Sequence, residues 1–215
     1  MTAIKYGTTD SILKPLDEVI LPDPRIETEP CRPAAALTIA DIRERLETFS
    51  CLHAGVPKPV KKQFEVARNL MLYTYFVFEF QTMAELQAYA ALEFALRQRF
   101  DHAKKKVKRG KEVAFVPLML KELLKLAVAK NLIQPTKLAS FEWTNQKRKH
   151  AAASGGYEFE PMSAKEWLEL VQLHITSQRN HIAHGNPHLD LPFSFAQLER
   201  CADIINALFP ITTAS

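Results

Sequence analysis

The stretch SAKEWLELVQLHITSQRNHIAHGNP, residues 163–187, contains a whole helix with both of its boundary signals. Ser163 followed three residues later by Glu166 is a capping box, two side chains that satisfy orphan N–H groups at a helix start. Trp167, Leu168, Leu170, Val171 and Ile175 recur at helical spacing and mark one apolar face. Gly185 is the residue type favoured just past a helix end, and Pro187 blocks any resumption. The stretch therefore predicts a long helix with one face in a core. Its last turns are unusual, because Arg179, Asn180, His181 and His184 crowd together where the apolar pattern stops.

Working outward, the same signals recur. Thr38 with Asp41 opens a helix carrying Ile42, Leu46 and Phe49, and Gly55, Pro57 and Pro59 break the chain after it. A second helix is expected from about Val60 to Phe80. Thr82 with Glu85 starts a third, striped by Leu86, Ala90, Leu92 or Phe94, Leu96 and Phe100. The cations of KKKVKRGK, 104–111, suit its C-terminus. A fourth runs through VPLMLKELLKLAVAKNLI with Pro117 in its first turn. A short helix is expected near 136–148 within an irregular stretch, and a last one, capped by Ser194 with Gln197, runs to Pro210. No internal repeat is evident. The expected fold is all-α, an antiparallel bundle of five or six helices over residues 38–215. Residues 1–37 are expected to form an extended arm, because residues 1–35 hold five of the thirteen prolines. A short strand is expected in that arm around Glu18 to Leu21.

Composition narrows the function classes. A chain of 215 residues that is 47% apolar can bury a real core. A net charge of +4 is too small for a general polycation, so any affinity for nucleic acid must come from local patches. Cys31, Cys51 and Cys201 form no CxxC pair, which argues against a disulfide framework or a thiolate zinc site and favours a reducing cytoplasm. The first residues lack a signal-peptide pattern. The longest apolar run, LMLYTYFVF at 70–78, is far shorter than the roughly 20 residues a bilayer span needs, so no membrane association is expected.

The polar turn admits three readings. Cations at a helix C-terminus can simply answer the dipole. His181, His184 and His188 are spaced HxxHxxxH and invite a zinc reading, but no HExxH and no acidic partner accompanies them, so no metal is expected. The third reading is phosphodiester chemistry. Asn180 and His184 are i, i+4 and stack on one face, with Arg179 at its edge. An imidazole moves protons near neutral pH. A guanidinium clamps a phosphate and steadies a pentavalent oxyanion. RNA brings its own nucleophile, the 2′-hydroxyl.

The residues RNHIAH, 179–184, read as RNxxxH, and this pattern with the glycine after it resembles the HEPN superfamily. Those domains are α-helical bundles with the motif at a late helix. The architectural likeness covers roughly residues 38–210, and sharp identity is confined to 179–185. The resemblance implies a metal-independent endoribonuclease of a toxin–antitoxin, abortive-infection or CRISPR-linked defence system. It needs no cofactor, works as a homodimer and acts on RNA, and an antitoxin or other regulatory protein is an implied partner. By position, Arg179, Asn180 and His184 would be the active trio. His184 would be general base or acid, Arg179 would bind the scissile phosphate, and Asn180 would orient them. Products would be a 2′,3′-cyclic phosphate and a 5′-hydroxyl. A family subgroup carries a tyrosine two residues after the histidine, where this chain has Asn186, so modification at that point is not expected. Some members have lost catalysis and only bind, which leaves a non-catalytic module for RNA or protein as the alternative.

Several other residues have a plain and a functional reading. Glu93 is four residues before Arg97, either a surface pair or a carboxylate that holds Arg179. His181 supports the cleft or does nothing there, and His174 is expected to be structural. Two basic runs, Lys104, Lys105, Lys106, Lys108 and Arg109, and Lys147, Arg148 and Lys149, are either solvated loops or guides for an RNA backbone. Trp143 and Phe141, beside the second run, are either core residues or stacking surfaces for an unpaired base.

Overall fold

The computed structural model describes residues 17–27, 37–100, 103–109, 112–183 and 190–211; for 107–109, 112–114, 176 and 178–183 it describes the backbone alone. Among these residues the elements run α1 (Pro24–Glu27), α2 (Ile39–Phe49), α3 (Lys58–Tyr73), α4 (Phe80–Arg99), β1 (Lys104–Arg109), β2 (Glu112–Pro117), α5 (Leu120–Ala129), α6 (Ala139–Gly155), α7 (Ala164–Ala183) and α8 (Leu191–Leu208). The chain is mostly helical, as expected, with a single small hairpin added. Among the described residues no helix is long and apolar enough to cross a membrane.

Two helices start as the sequence predicts. Thr38 and Asp41 exchange bonds, the Asp41 N–H to Thr38 Oγ1 at 3.2 Å and the Thr38 N–H to Asp41 Oδ2 at 2.8 Å. Ser163 and Glu166 do the same at 3.2 and 2.7 Å. Trp167, Val171 and Ile175 face the core, where the Trp167 ring meets Phe141 at 6.5 Å between centroids. In α2, Ile42 and Leu46 are buried, but Phe49 in the last turn is 61% exposed.

At the centre lies α4, between α3 and α8. Ala84, Ala88, Ala91 and Ala95 line it at i, i+3 and i+4 steps, so its neighbours approach closely, and Leu92 and Leu96 fill the space between. The predicted stripe is half right: Leu86, Ala90 and Phe94 sit at the edge of the buried band. Burial of so much of one helix requires elements on both sides, and α8 supplies Leu198, Ile204, Ile205 and Leu208.

The structure corrects five boundaries. The expected strand at 18–21 is a turn, followed by α1. The described part of the arm is thus folded rather than extended. It docks through Asp23, whose N–H donates to the Tyr75 carbonyl at 2.8 Å and whose Oδ2 accepts the Phe78 N–H at 3.3 Å. The second helix ends at Tyr73 instead of Phe80: beyond it the chain turns through local bonds such as Tyr75 N–H to the Leu72 carbonyl and Phe76 N–H to the Tyr73 carbonyl, and Asp23 takes the Tyr75 carbonyl and the Phe78 N–H. Lysines 104–106 with Lys108 and Arg109 do not close a helix; they form β1, paired antiparallel with β2. Pro117 ends β2 and does not open α5, whose first turn is served by Glu122 Oε2 accepting the Met119 N–H at 2.9 Å. The short helix expected at 136–148 is α6, 17 residues long, so Lys147, Arg148 and Lys149 stand on a helix and not in a loop. It ends at Gly156 in the left-handed conformation, φ 68°.

Candidate functional site

Both remaining predicted caps are displaced, and the displacement builds the most polar part of the interior. Helix α4 begins at Phe80, so Thr82 stands in its first turn rather than at its cap, and Glu85 in its second. Helix α8 begins at Leu191, capped by Asp190, whose Oδ1 accepts the Phe193 N–H at 3.1 Å, with Pro192 in the first turn. Ser194 and Gln197 are therefore interior. Residues three apart share a helical face, and here the two faces press together.

Ser194 Oγ contacts Glu85 Oε1 and lies 3.2 Å from Gln81 Oε1. A hydroxyl has one proton and here two oxygen neighbours. A neutral Glu85 satisfies both contacts: its O–H donates to Ser194, and Ser194 donates to Gln81. Gln81 Nε2 in turn donates to the Phe78 carbonyl at 2.9 Å. Burial raises the Glu85 carboxyl to about 7, opposed by the Ser194 bond and helped by the nearby charge of Asp190. One and a half turns further along α8, Arg200 Nη1 donates to Gln197 Oε1 at 2.9 Å and lies 3.3 Å from Nδ1 of His174 on α7. The His174 ring meets Phe193 edge-on at 5.5 Å. Burial first, then the Arg200 charge, lowers the His174 pKa, so the neutral imidazole can accept from the guanidinium at Nδ1. Burial also lowers Arg200, whose Nε finds no partner among the described residues.

Arg179 and Asn180 lie in the last turns of α7, with His181 beside them; their backbone is helical and their side chains are outside the described residues. His184, the predicted acid or base, also lies outside the described residues, as does His188. Well before its end, α7 meets α8 through His174, which lies against Phe193 and Arg200, and α8 in turn meets α4 through Ser194 and Glu85.

The other predicted residues are dispersed. Glu93 Oε1 accepts Arg97 Nη2 at 2.6 Å, the local i, i+4 pair. Lys105 is drawn to Glu122 of α5, while Lys104 and Lys106 are exposed. Lys147, Arg148 and Lys149 are consecutive on α6 and fan around it, so they form no track. Phe141 is in the core. Trp143 carries Lys147 Nζ at 4.0 Å over its ring and lines a groove of about 770 Å³ between α2, α6 and α8. The groove has four carboxylates, Asp41, Glu44, Glu199 and Asp203, against Arg45 and Arg200. It opposes a polyanion.

Sequence reasoning missed Glu85, Ser194 and Arg200 as a buried layer. The available signal was the S/T-x-x-E/Q spacing itself, which serves a buried i, i+3 pair as well as a cap.

Comparison of the chain with models of known families, with curated proteins and with solved structures finds no match.

Proposed function

We propose that the chain is a metal-independent endoribonuclease of the HEPN type, acting in the cytoplasm as a toxin or defence effector. The observation that carries this reading is the RNxxxH pattern, Arg179 to His184, on the end of a long capped helix whose opposite end is anchored by Trp167 in a helical core. A second support is that the helix carrying the motif packs through His174 against α8 and its buried polar layer.

The chemistry asked of the trio is modest. The ribose 2′-oxygen attacks the adjacent phosphorus, a new P–O bond forms, and the bond to the 5′-oxygen breaks. The proton leaves the 2′-hydroxyl and one is delivered to the departing 5′-oxygen, so the products are a 2′,3′-cyclic phosphate and a 5′-hydroxyl. His184 carries one of these transfers. Arg179 offsets the charge on the pentavalent phosphorus, and Asn180 holds the imidazole or the 2′-hydroxyl. In a homodimer two such half-sites face each other, and the second His184 supplies the other transfer. An antitoxin or similar regulator would act by covering the cleft. The test is cleavage of single-stranded RNA in EDTA by the native chain and by His184→Ala. Cleavage by the native chain alone supports the reading. Binding without cleavage by either favours a non-catalytic module, and activity abolished by EDTA favours zinc held by His181, His184 and His188.

A further inference from the structure

In an antiparallel pair, residues directly opposite share a face and successive residues alternate between faces. The register of β1 and β2 sets Lys104 opposite Pro117, Lys106 opposite Phe115, and Lys108 opposite Val113. These six positions make one face. Lys105, Val107 and Arg109, with Glu112, Ala114 and Val116, make the other. The two faces differ in kind. On the second, Lys105 is tied to Glu122 of α5 and Arg109 stands opposite Glu112. The first has lysines at three alternate positions and no carboxylate. Lys104 and Lys106 are exposed, and Phe115, directly opposite Lys106, keeps 66% of its surface in water.

A bare phenylalanine gives the hairpin no packing. Beside a row of ammonium groups it gives something else, because a ring can stack a base while the cations neutralise phosphates. Lysines two residues apart on a strand repeat about every 6.7 Å, which lets a flexible strand lay successive phosphates along them. A duplex hides its bases and cannot use the ring. A protein partner with acidic groups would use the lysines and leave the phenylalanine unpaired.

We propose that the outer face of this hairpin is a platform for single-stranded RNA, with Lys104, Lys106 and Lys108 along the backbone and Phe115 under a base. The choice of RNA over DNA rests on the ribonuclease reading; the platform itself rests on the register and exposure. The platform carries none of the reacting trio, so it should act on KM rather than on kcat.

The experiment uses the full chain carrying His184→Ala, so that RNA is not consumed, and follows fluorescence anisotropy of a labelled single-stranded RNA over a salt series. Removing each lysine should lower the slope of log K against log salt by about 0.7, so K104Q/K106Q/K108Q should lose about 2. Phe115→Ala should weaken binding by about 5- to 150-fold at unchanged slope. Lys105→Gln should leave the slope as it is. Native affinity and slope in both the triple variant and Phe115→Ala would overturn the platform, as would failure of the parent chain to bind. Equal affinity for single-stranded DNA would overturn the choice of RNA. Cleavage in EDTA by the chain with His184 intact is read separately: its absence beside hairpin-dependent binding sinks the ribonuclease reading alone. Its presence with normal KM in the hairpin variants sinks the platform alone.

Discussion

Replacing Glu85 by Gln separates the charge of the buried layer from its packing. Glutamine keeps the shape and still bonds Ser194, but it cannot ionise. Glu85 is 2% exposed, and its carboxyl is raised from the ordinary 4.5 to about 7 by burial. A difference of that size is worth roughly 3 kcal/mol. Below pH 4.5 the folded and unfolded chains both hold the proton, and the neutral carboxyl stabilises fully. Between 4.5 and 7 the unfolded chain releases the proton while the folded chain keeps it, so stability falls as pH rises. Above 7 the loss is complete. The Gln variant has no such contribution, and other titrating groups cancel when the two proteins are compared. Urea unfolding across this range should therefore show the variant gaining on the native chain by roughly 3 kcal/mol from the acid to the alkaline side. In thermal melts this is roughly 6–12 °C for a chain of this size. A stability difference that stays flat with pH would refute the neutral, buried Glu85.

Substitutions at three further positions check the layer and the frame that holds it. Ser194→Ala removes the hydroxyl that joins Gln81 to Glu85 and should cost about 1–3 kcal/mol in urea unfolding. A cost too small to measure would mean that the contact is not made. Trp167→Ala empties a fully buried site against Phe141 and should cost about 3–5 kcal/mol, enough to lower the melting temperature by roughly 10 °C. Gly156→Ala places a β-carbon in open space but on a left-handed residue, φ 68°, so it should cost about 1 kcal/mol through the backbone alone. Gly156→Asn should recover part of that loss.

Some of this was legible in the sequence, and the reason differs by element. Helices α2 and α7 carry a capping box followed at once by their apolar stripe, so local chemistry and tertiary packing agree. Thr82 with Glu85 and Ser194 with Gln197 have the same spacing but lie on buried faces, where the partner is another helix rather than the residue's own first turn. Asp190 followed by Pro192 was the better start signal for α8, since an aspartate before a proline fits a cap and first turn. The hairpin was hidden by charge. Lys104–Arg109 looked like a helix end because its lysines dominate, although Val107, Val113, Phe115 and Val116 around Gly110 are the β-branched and aromatic types that strands favour. The layer joins Glu85 to Ser194 across 109 residues and His174 to Arg200 across 26, which no local pattern records. The motif is a pattern within six consecutive residues, so it can be read locally, and the structure gives the helical backbone of the first five, 179–183.

The central claim is that His184 moves a proton on an RNA phosphodiester without a metal. The most direct measurement is the chemistry of the fragment ends after single-stranded RNA is incubated in EDTA with the native chain and with His184→Ala. The account predicts 2′,3′-cyclic phosphates and 5′-hydroxyls from the native chain and intact RNA from the variant. Fragments ending in 3′-hydroxyls, or equal cleavage by the two proteins, would contradict it.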